Sequence, residues 1–312
     1  MDTKSDDAPQ GTHIEAGSED LNPDEPQYEG ARDESGRPHG EGVCVWKTGD
    51  TYNGRWRAGL KEGRGRYQWS NGDVYEGEYA ENVRSGTGSM MYADGSTYTG
   101  GWALDRRHGT GTAVMANGDV YEGPYVDGCR DGPDGKYTWA NGDVYEGDWV
   151  NNARTGHGVL RTVDGDVYEG EWRDGHKHGH GKYTWSTGEW YEGEWVDDHR
   201  EGRGLFSDDQ NCVYYDGEWH NDIVEGFGNY SDAIGNYRGE WLNGRRHGQG
   251  VFHSKATNDV YDGAWKHGKK HGFGRYAWST GERFEGNWEN DAMHGEGTFY
   301  SLDGRPEERV WP

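Results

Sequence analysis

A glycine two residues after an aromatic side chain recurs along this chain with a nearly fixed period. That period constrains the fold more than any other feature. The aromatic falls at Tyr28, Tyr52, Tyr75, Tyr98, Tyr121, Tyr145, Tyr168, Tyr191, Tyr215, Tyr237, Tyr261 and Phe284, at intervals of 22 to 24 residues. Repeats of this length signal tandem supersecondary units, each of which buries its apolar face against its neighbours. Twelve units span residues 28–305 and leave no room there for a second domain.

Unit seven displays the pattern: Tyr168-Glu-Gly-Glu-Trp172, then Arg-Asp-Gly-His-Lys, then His178-Gly-His-Gly-Lys-Tyr-Thr-Trp185, then Ser-Thr-Gly-Glu. Two runs alternate with period two, and each ends in a glycine-centred turn, which predicts a β-hairpin. Tyr168, Gly170 and Trp172 share one face of the first arm; Gly179, Gly181, Tyr183 and Trp185 share one face of the second. Four such same-face positions across the twelve units hold 37 of the chain's 43 aromatic residues. Glycine inside a strand marks close approach to the backbone, here by Tyr and Trp rings of neighbouring hairpins. The opposite face carries Glu, Lys, Arg and His, with Glu171 and Lys182, or Glu78 and Arg66, as expected cross-strand charge pairs. Twelve hairpins give about 24 strands in an all-β, single-layer antiparallel sheet, an open solenoid-like rod held by nearest-neighbour contacts.

Composition agrees. Leu, Ile, Val and Phe together number only 34 of 312 residues, against a net charge of −25. A Rossmann domain, a TIM barrel or a helical bundle needs far more aliphatic interior. No apolar stretch approaches the length of a membrane span, and the N-terminal residues lack the apolar segment of a secretion signal. Cys44, Cys129 and Cys212 lie far apart, which fits a reduced, cytoplasmic protein. The expected organisation is an acidic disordered tail over 1–27, the array over 28–305, and a short C-terminal tail over 306–312. That last tail either folds back over the final hairpin through Trp311 or frays.

The chemistry is sparse. The acidic surface opposes nucleic acid and anionic lipid. Lys266, Lys269 and Lys270 form a local basic exception at a hairpin turn, where a lipid or anion contact competes with a solvated tip. His176, His178 and His180 alternate as metal ligands could, but His precedes the first paired glycine in six units and belongs to the repeat. The glutamates recur on an open, wet face that supplies no cleft to shift a carboxylate pKa. Gly181-Lys182 is followed by Tyr183, so there is no phosphate loop. Neither enzyme chemistry nor a cofactor or metal is expected. The longest unbroken Trp series is Trp172, Trp195, Trp219, Trp241, Trp265 and Trp288. These rings either line a partner-binding groove or pack only against one another. From unit eight the fourth aromatic position turns polar, at Asp208, Asp232 and Ser254, which suggests a more open groove there.

Tyr-Glu-Gly-Glu-Trp, followed by Gly-x-x-His-Gly-x-Gly-x-Tyr-x-Trp and Asn-Gly-Asp, resembles the MORN repeat (membrane occupation and recognition nexus) across residues 28–305. The resemblance implies an elongated, twisted sheet with an aromatic-lined groove. It also implies a standalone scaffold, since no catalytic partner domain fits in the array. The opening Tyr28-Glu-Gly-Ala-Arg-Asp-Glu-Ser-Gly-Arg-Pro-His-Gly-Glu-Gly42 is similar to the start of the MORN subunit of the ciliary radial-spoke head. This resemblance implies a location in the axoneme of a cilium or flagellum, with radial-spoke or other axonemal proteins as partners. Homodimerisation through terminal repeats fits scaffolds of this family. The other reading is an adaptor that tethers a membrane, through phosphoinositides, or a cortical cytoskeleton.

Overall fold

The structure is a computed structural model that describes residues 26–312. The predicted acidic tail lies outside the described residues except for Pro26 and Gln27, where the first strand begins. The described residues form 26 β-strands and no helix, in two compact units that divide between Gly158 and Val159. Each unit is an open antiparallel sheet in which strands pair with their sequence neighbours. The excess over 24 strands has two sources. The second arm of hairpin five splits into β10 (Cys129–Arg130) and β11 (Gly132–Thr138), because one extra residue separates its glycines. Residues Pro306–Trp311 form β26, which pairs along β25 (Ala292–Tyr300), and Trp311 stacks 4.6 Å from Phe284.

Hairpin seven carries the geometry of the others. In it β14 (Val167–Arg173) pairs with β15 (His176–Thr184) as Tyr168↔Tyr183, Glu169↔Lys182 and Gly170↔Gly181. The register then shifts, so that Trp172 faces Lys177. The two glycines of the second arm therefore do different jobs. Gly179 sits at this bulge with φ +57°, a conformation that favours glycine. Gly181 is extended, and a Cβ there would lie 2.3 Å from the Tyr168 hydroxyl. The sequence reading gave both glycines to rings of neighbouring hairpins. The ring over Gly181 belongs to its own hairpin, and Gly179 is needed for backbone conformation.

The bulge also moves the expected charge pairs. The Glu171 carboxylate turns inward over Gly179 and accepts the His180 backbone N–H at 2.9 Å. Lys182 instead meets Glu192 of the following hairpin at 3.7 Å. On the regular ladder between hairpins two and three, Arg66 stands opposite Glu76 and Arg64 opposite Glu78.

After the first hairpin, whose turn spans five residues, the arm-to-arm turns are two residues long with positive φ at both, as in Asp174-Gly175, Asn151-Asn152 and Asp197-Asp198. These are the mirror-image turns whose twist matches a hairpin. Where the second residue is Asn or Asp, its side chain hooks the hairpin before it. Asp198 Oδ1 accepts the Lys177 N–H at 2.9 Å, and Asn82 Oδ1 accepts the Lys61 N–H at 2.8 Å. The loops joining hairpins are clamped in turn: Asp166 accepts the Tyr183 hydroxyl at 2.6 Å and the Ser186 N–H at 2.9 Å. Asp259 does the same for Tyr276 and Ser279.

Candidate interaction surface

In each unit the core is a column of first-position rings, Tyr52 to Tyr145 in the first and Tyr168 to Phe284 in the second, that are almost wholly buried. Each Tyr hydroxyl donates to the carbonyl three residues on, as Tyr168 does to Glu171 at 2.9 Å. The fifth-position tryptophans fill the gaps between these rings. Tyr168 lies edge-on to Trp172 of its own hairpin at 5.2 Å and to Trp195 of the next at 5.4 Å. The indole N–H of Trp195 donates to the Gly181 carbonyl at 3.0 Å, and that of Trp265 to Gly250 at 3.0 Å.

This packing decides the place of the expected partner groove. Trp172, Trp195, Trp219, Trp265 and Trp288 are only 3–7% exposed, and Trp241 is half-buried. The period-two pattern put these rings on the right face but could not tell a groove wall from a core. Backbone that carries no side chain lets the rings sink, so the expected groove residues are spent on the chain's own interior.

Sequence reasoning missed what fills the rest of that interior. In nine of the twelve units a Lys or Arg stands two residues before the first paired glycine, from Lys61 to Lys270. Each projects into a cage of rings. Arg130 lies 4.4 Å from Trp149, 5.0 Å from Tyr137 and 5.7 Å from Tyr121. Lys177 lies 4.5 Å from Trp195 and 4.9 Å from Tyr183. Cation–π attraction offsets part of the cost of burying these charges. The signal was present in the sequence as a periodic cation on an otherwise aromatic face.

Lys270 is one of these caged cations. It lies 4.4 Å from Trp288 and 4.7 Å from Tyr276, and burial pulls its pKa down. A lipid contact by Lys270 is thereby corrected, since its ammonium already faces rings. Lys266 and Lys269 face each other at the exposed turn tip. The His run also meets separate carboxylates: His176 Nδ1 lies 2.6 Å from Asp198 and His178 Nδ1 3.8 Å from Asp197, while the His180 backbone N–H donates to Glu171. Among the described residues no group of three or more His, Cys, Asp or Glu could hold a metal.

The MORN repeat model matches twelve consecutive segments, the first at 34–51 and the last at 284–304. The chain belongs to the MORN-repeat family. Among curated proteins no match is found. Solved structures offer only distant likenesses. The TCP domain of Drosophila melanogaster SAS-4 (dCPAP) is 15% identical, over 54% of this chain and 90% of that one, with a TM-score of 0.33. The TCP10 domain of Danio rerio CPAP is 12% identical, over 81% and 97%, with a TM-score of 0.27. Virginiamycin B lyase from Staphylococcus aureus is 11% identical, over 92% and 88%, with a TM-score of 0.14. Scores this low carry no argument about activity.

On the aromatic face of the MORN hairpin, the fourth position, just before the loop, stays half-open. Trp46, Trp69, Tyr92, Met115 and Trp139 occupy it in five consecutive hairpins of the first unit, and all are half-buried. Trp69 rests on Tyr67 at 4.5 Å and Trp139 on Tyr137 at 4.7 Å, which places them on the aromatic face. MORN arrays are generally interaction modules, and this row is apolar surface that the packing leaves half-open.

Proposed function

We propose that this chain is a non-catalytic structural scaffold of a cytoskeletal assembly, and specifically of the radial-spoke head in the axoneme of motile cilia or flagella. The observation that carries this reading is uniformity. The described residues are hairpins of one module with one recurring register, so what the chain offers a partner is spacing. The similarity of Tyr28–Gly42 to the start of radial-spoke MORN subunits supports the spoke assignment. Its partners in this reading are other spoke or axonemal proteins. Among the described residues, β1 (Gln27–Arg32) and β26 each have a strand on one side only, which supports pairing of copies through terminal repeats. The acidic surface and the caged Lys270 speak against a membrane tether.

Fractionation of detergent-treated ciliated cells that carry a tagged copy tests the reading. Retention with the demembranated axoneme, with release only by strong salt, is the expected result. Release by mild detergent alone refutes it.

A further inference from the structure

The open aromatic row of the first unit has a repeat, a chemistry and a charge, and together they specify a ligand. Its repeat is that of the hairpin. The residues just before the row are in register across the sheet: Val45↔Thr51↔Gln68↔Val74↔Met91↔Thr97↔Val114↔Val120↔Thr138. Successive row members are thus two strands apart, about 9.6 Å at the usual strand spacing. A polyproline II helix turns once in three residues and rises about 9.3 Å in doing so. One residue in three of such a helix therefore meets one ring per hairpin. An extended β-strand, whose facing residues repeat every second position, falls out of step.

The chemistry matches as well. The buried fifth-position tryptophans donate their indole N–H to glycine carbonyls, as Trp56 does to Gly42 at 3.1 Å and Trp149 to Gly135 at 3.0 Å. Trp46, Trp69 and Trp139 make no such bond with the described residues, and their rings are half-open. A polyproline II segment has no internal hydrogen bonds, so its carbonyls are unpaired acceptors, and its pyrrolidine rings stack on aromatic faces. Charge sets the remaining preference. The loops beside the row carry Asp50, Asp73, Asp94 and Asp143. The cations nearest the rings are already held in cages, such as Lys61 at 4.6 Å from Tyr67 and Arg84 at 4.4 Å from Trp102.

We propose that the row Trp46–Trp69–Tyr92–Met115–Trp139 docks a basic, proline-rich segment of a partner protein in the polyproline II conformation, one turn per hairpin. This deepens the scaffold reading by naming a class of partner. Binding measured in vitro is independent of where the protein resides, so either reading can fail alone.

The test is fluorescence polarisation with the full chain and a labelled acetyl-(Pro-Pro-Arg)5-amide peptide. An alanine-based helical peptide carrying the same five arginines serves as control. Saturable binding of the proline peptide, and weaker binding of the helical one, is expected. Trp69→Ala and Trp139→Ala should each weaken binding by about tenfold, the usual cost of truncating an aromatic anchor. Trp69→Phe keeps a ring, removes the N–H and should lose about threefold; it also covers the case in which Trp69→Ala fails to fold. Absence of binding overturns the proposal, as does equal binding of the helical peptide. Unchanged affinity in folded Trp→Ala variants overturns it too.

Discussion

Replacing Gly181 by alanine tests whether the tyrosine column is the reason for the invariant glycines. A Cβ at Gly181 would sit 2.3 Å from the Tyr168 hydroxyl oxygen, 2.6 Å from Cζ and 2.7 Å from Cε2. All are closer than nonbonded carbon tolerates, so the ring must move. It has little freedom to do so: Trp172 and Trp195 stand edge-on at 5.2 and 5.4 Å, and the hydroxyl is tied to the Glu171 carbonyl. Overpacking of this kind costs about 1–3 kcal/mol. Loss of the tyrosine hydrogen bond adds about 1 kcal/mol, for a total near 3 kcal/mol. Gly175→Ala is the comparison. Its Cβ meets nothing within 4 Å, and only its φ of +86° is penalised, by about 1 kcal/mol. Urea denaturation followed by tryptophan fluorescence should lower the midpoint markedly for Gly181→Ala and slightly for Gly175→Ala. Equal shifts would refute the steric account.

Arg130→Met keeps the apolar stem in its cage but removes the cation over Trp149 and the bond from Nη2 to the Asn152 carbonyl at 3.0 Å. A loss of about 1–2 kcal/mol is expected in thermal unfolding, and no loss would mean that the cation only fills space. Acid should weaken the fold through its clamps. Burial alone would raise the pKa values of Asp166 and Asp259. The Tyr183 and Tyr276 hydroxyls and the Ser186 and Ser279 N–H groups overcome this and hold both below the ordinary 3.8. Depressed carboxylates stabilise the fold above their unfolded values and lose that contribution as pH falls through the folded ones. Denaturation midpoints should therefore decline below about pH 4, and Asp166→Asn should flatten that decline; an unaltered acid limb would contradict it. On the alkaline side burial, reinforced by Asp259, pushes the Tyr276 hydroxyl up to about 12. Its contribution should persist below pH 10 and fade as pH rises through that value.

The hairpins, their number and their aromatic face were legible because a period of 23 residues and an alternation of two leave few other folds. Three features were not, for physical reasons. The bulge at Gly179 adds two residues on one arm, and because two is the period of the alternation the pattern carries no mark of it, so Glu171 leaves the ladder and Lys182 loses its expected partner. The turn pairs Asn151-Asn152 and Asp197-Asp198 adopt positive φ without glycine, since Asn and Asp tolerate that region. The burial of Trp195 and its equivalents depends on how far a ring sinks onto bare backbone, a depth that residue type alone does not report. The caged cations, in contrast, were readable at Lys177, Arg200 and Arg246. A basic residue on an aromatic face looks like an exception until its period is counted.

The couplings between hairpins are not uniform, and their gaps predict where the second unit opens first. At β18 (Val213–His220) through β21 (Arg245–Ser254) several devices lapse together. Val224 stands where nine other units place the caged cation. Val213 and Gly235 occupy the positions of the clamping Asp166 and Asp259. Trp241 is half-buried, and its indole reaches the Gly228 carbonyl only at 3.4 Å. A cavity of about 300 Å³ lies among Tyr214, Tyr230, Tyr237 and His253. What remains is the backbone ladder, with Lys255 Nζ bonded to Ser231 Oγ at 2.9 Å and to the Asp232 carbonyl at 2.6 Å. Loss of a cage cation and a clamping carboxylate, at about 0.5–1 kcal/mol each, amounts to roughly a tenfold rise in the local opening constant. Amides of β19 (Ile223–Ser231) and β20 (Gly235–Leu242) should thus exchange with deuterium about tenfold faster than those of β22 (Val260–Lys266) and β23 (Lys269–Ala277). Val224→Arg supplies a cation against Trp241 and should slow that exchange. Equal protection across the four strands, or no response to the added arginine, would show that the ladder and the ring column alone set local stability.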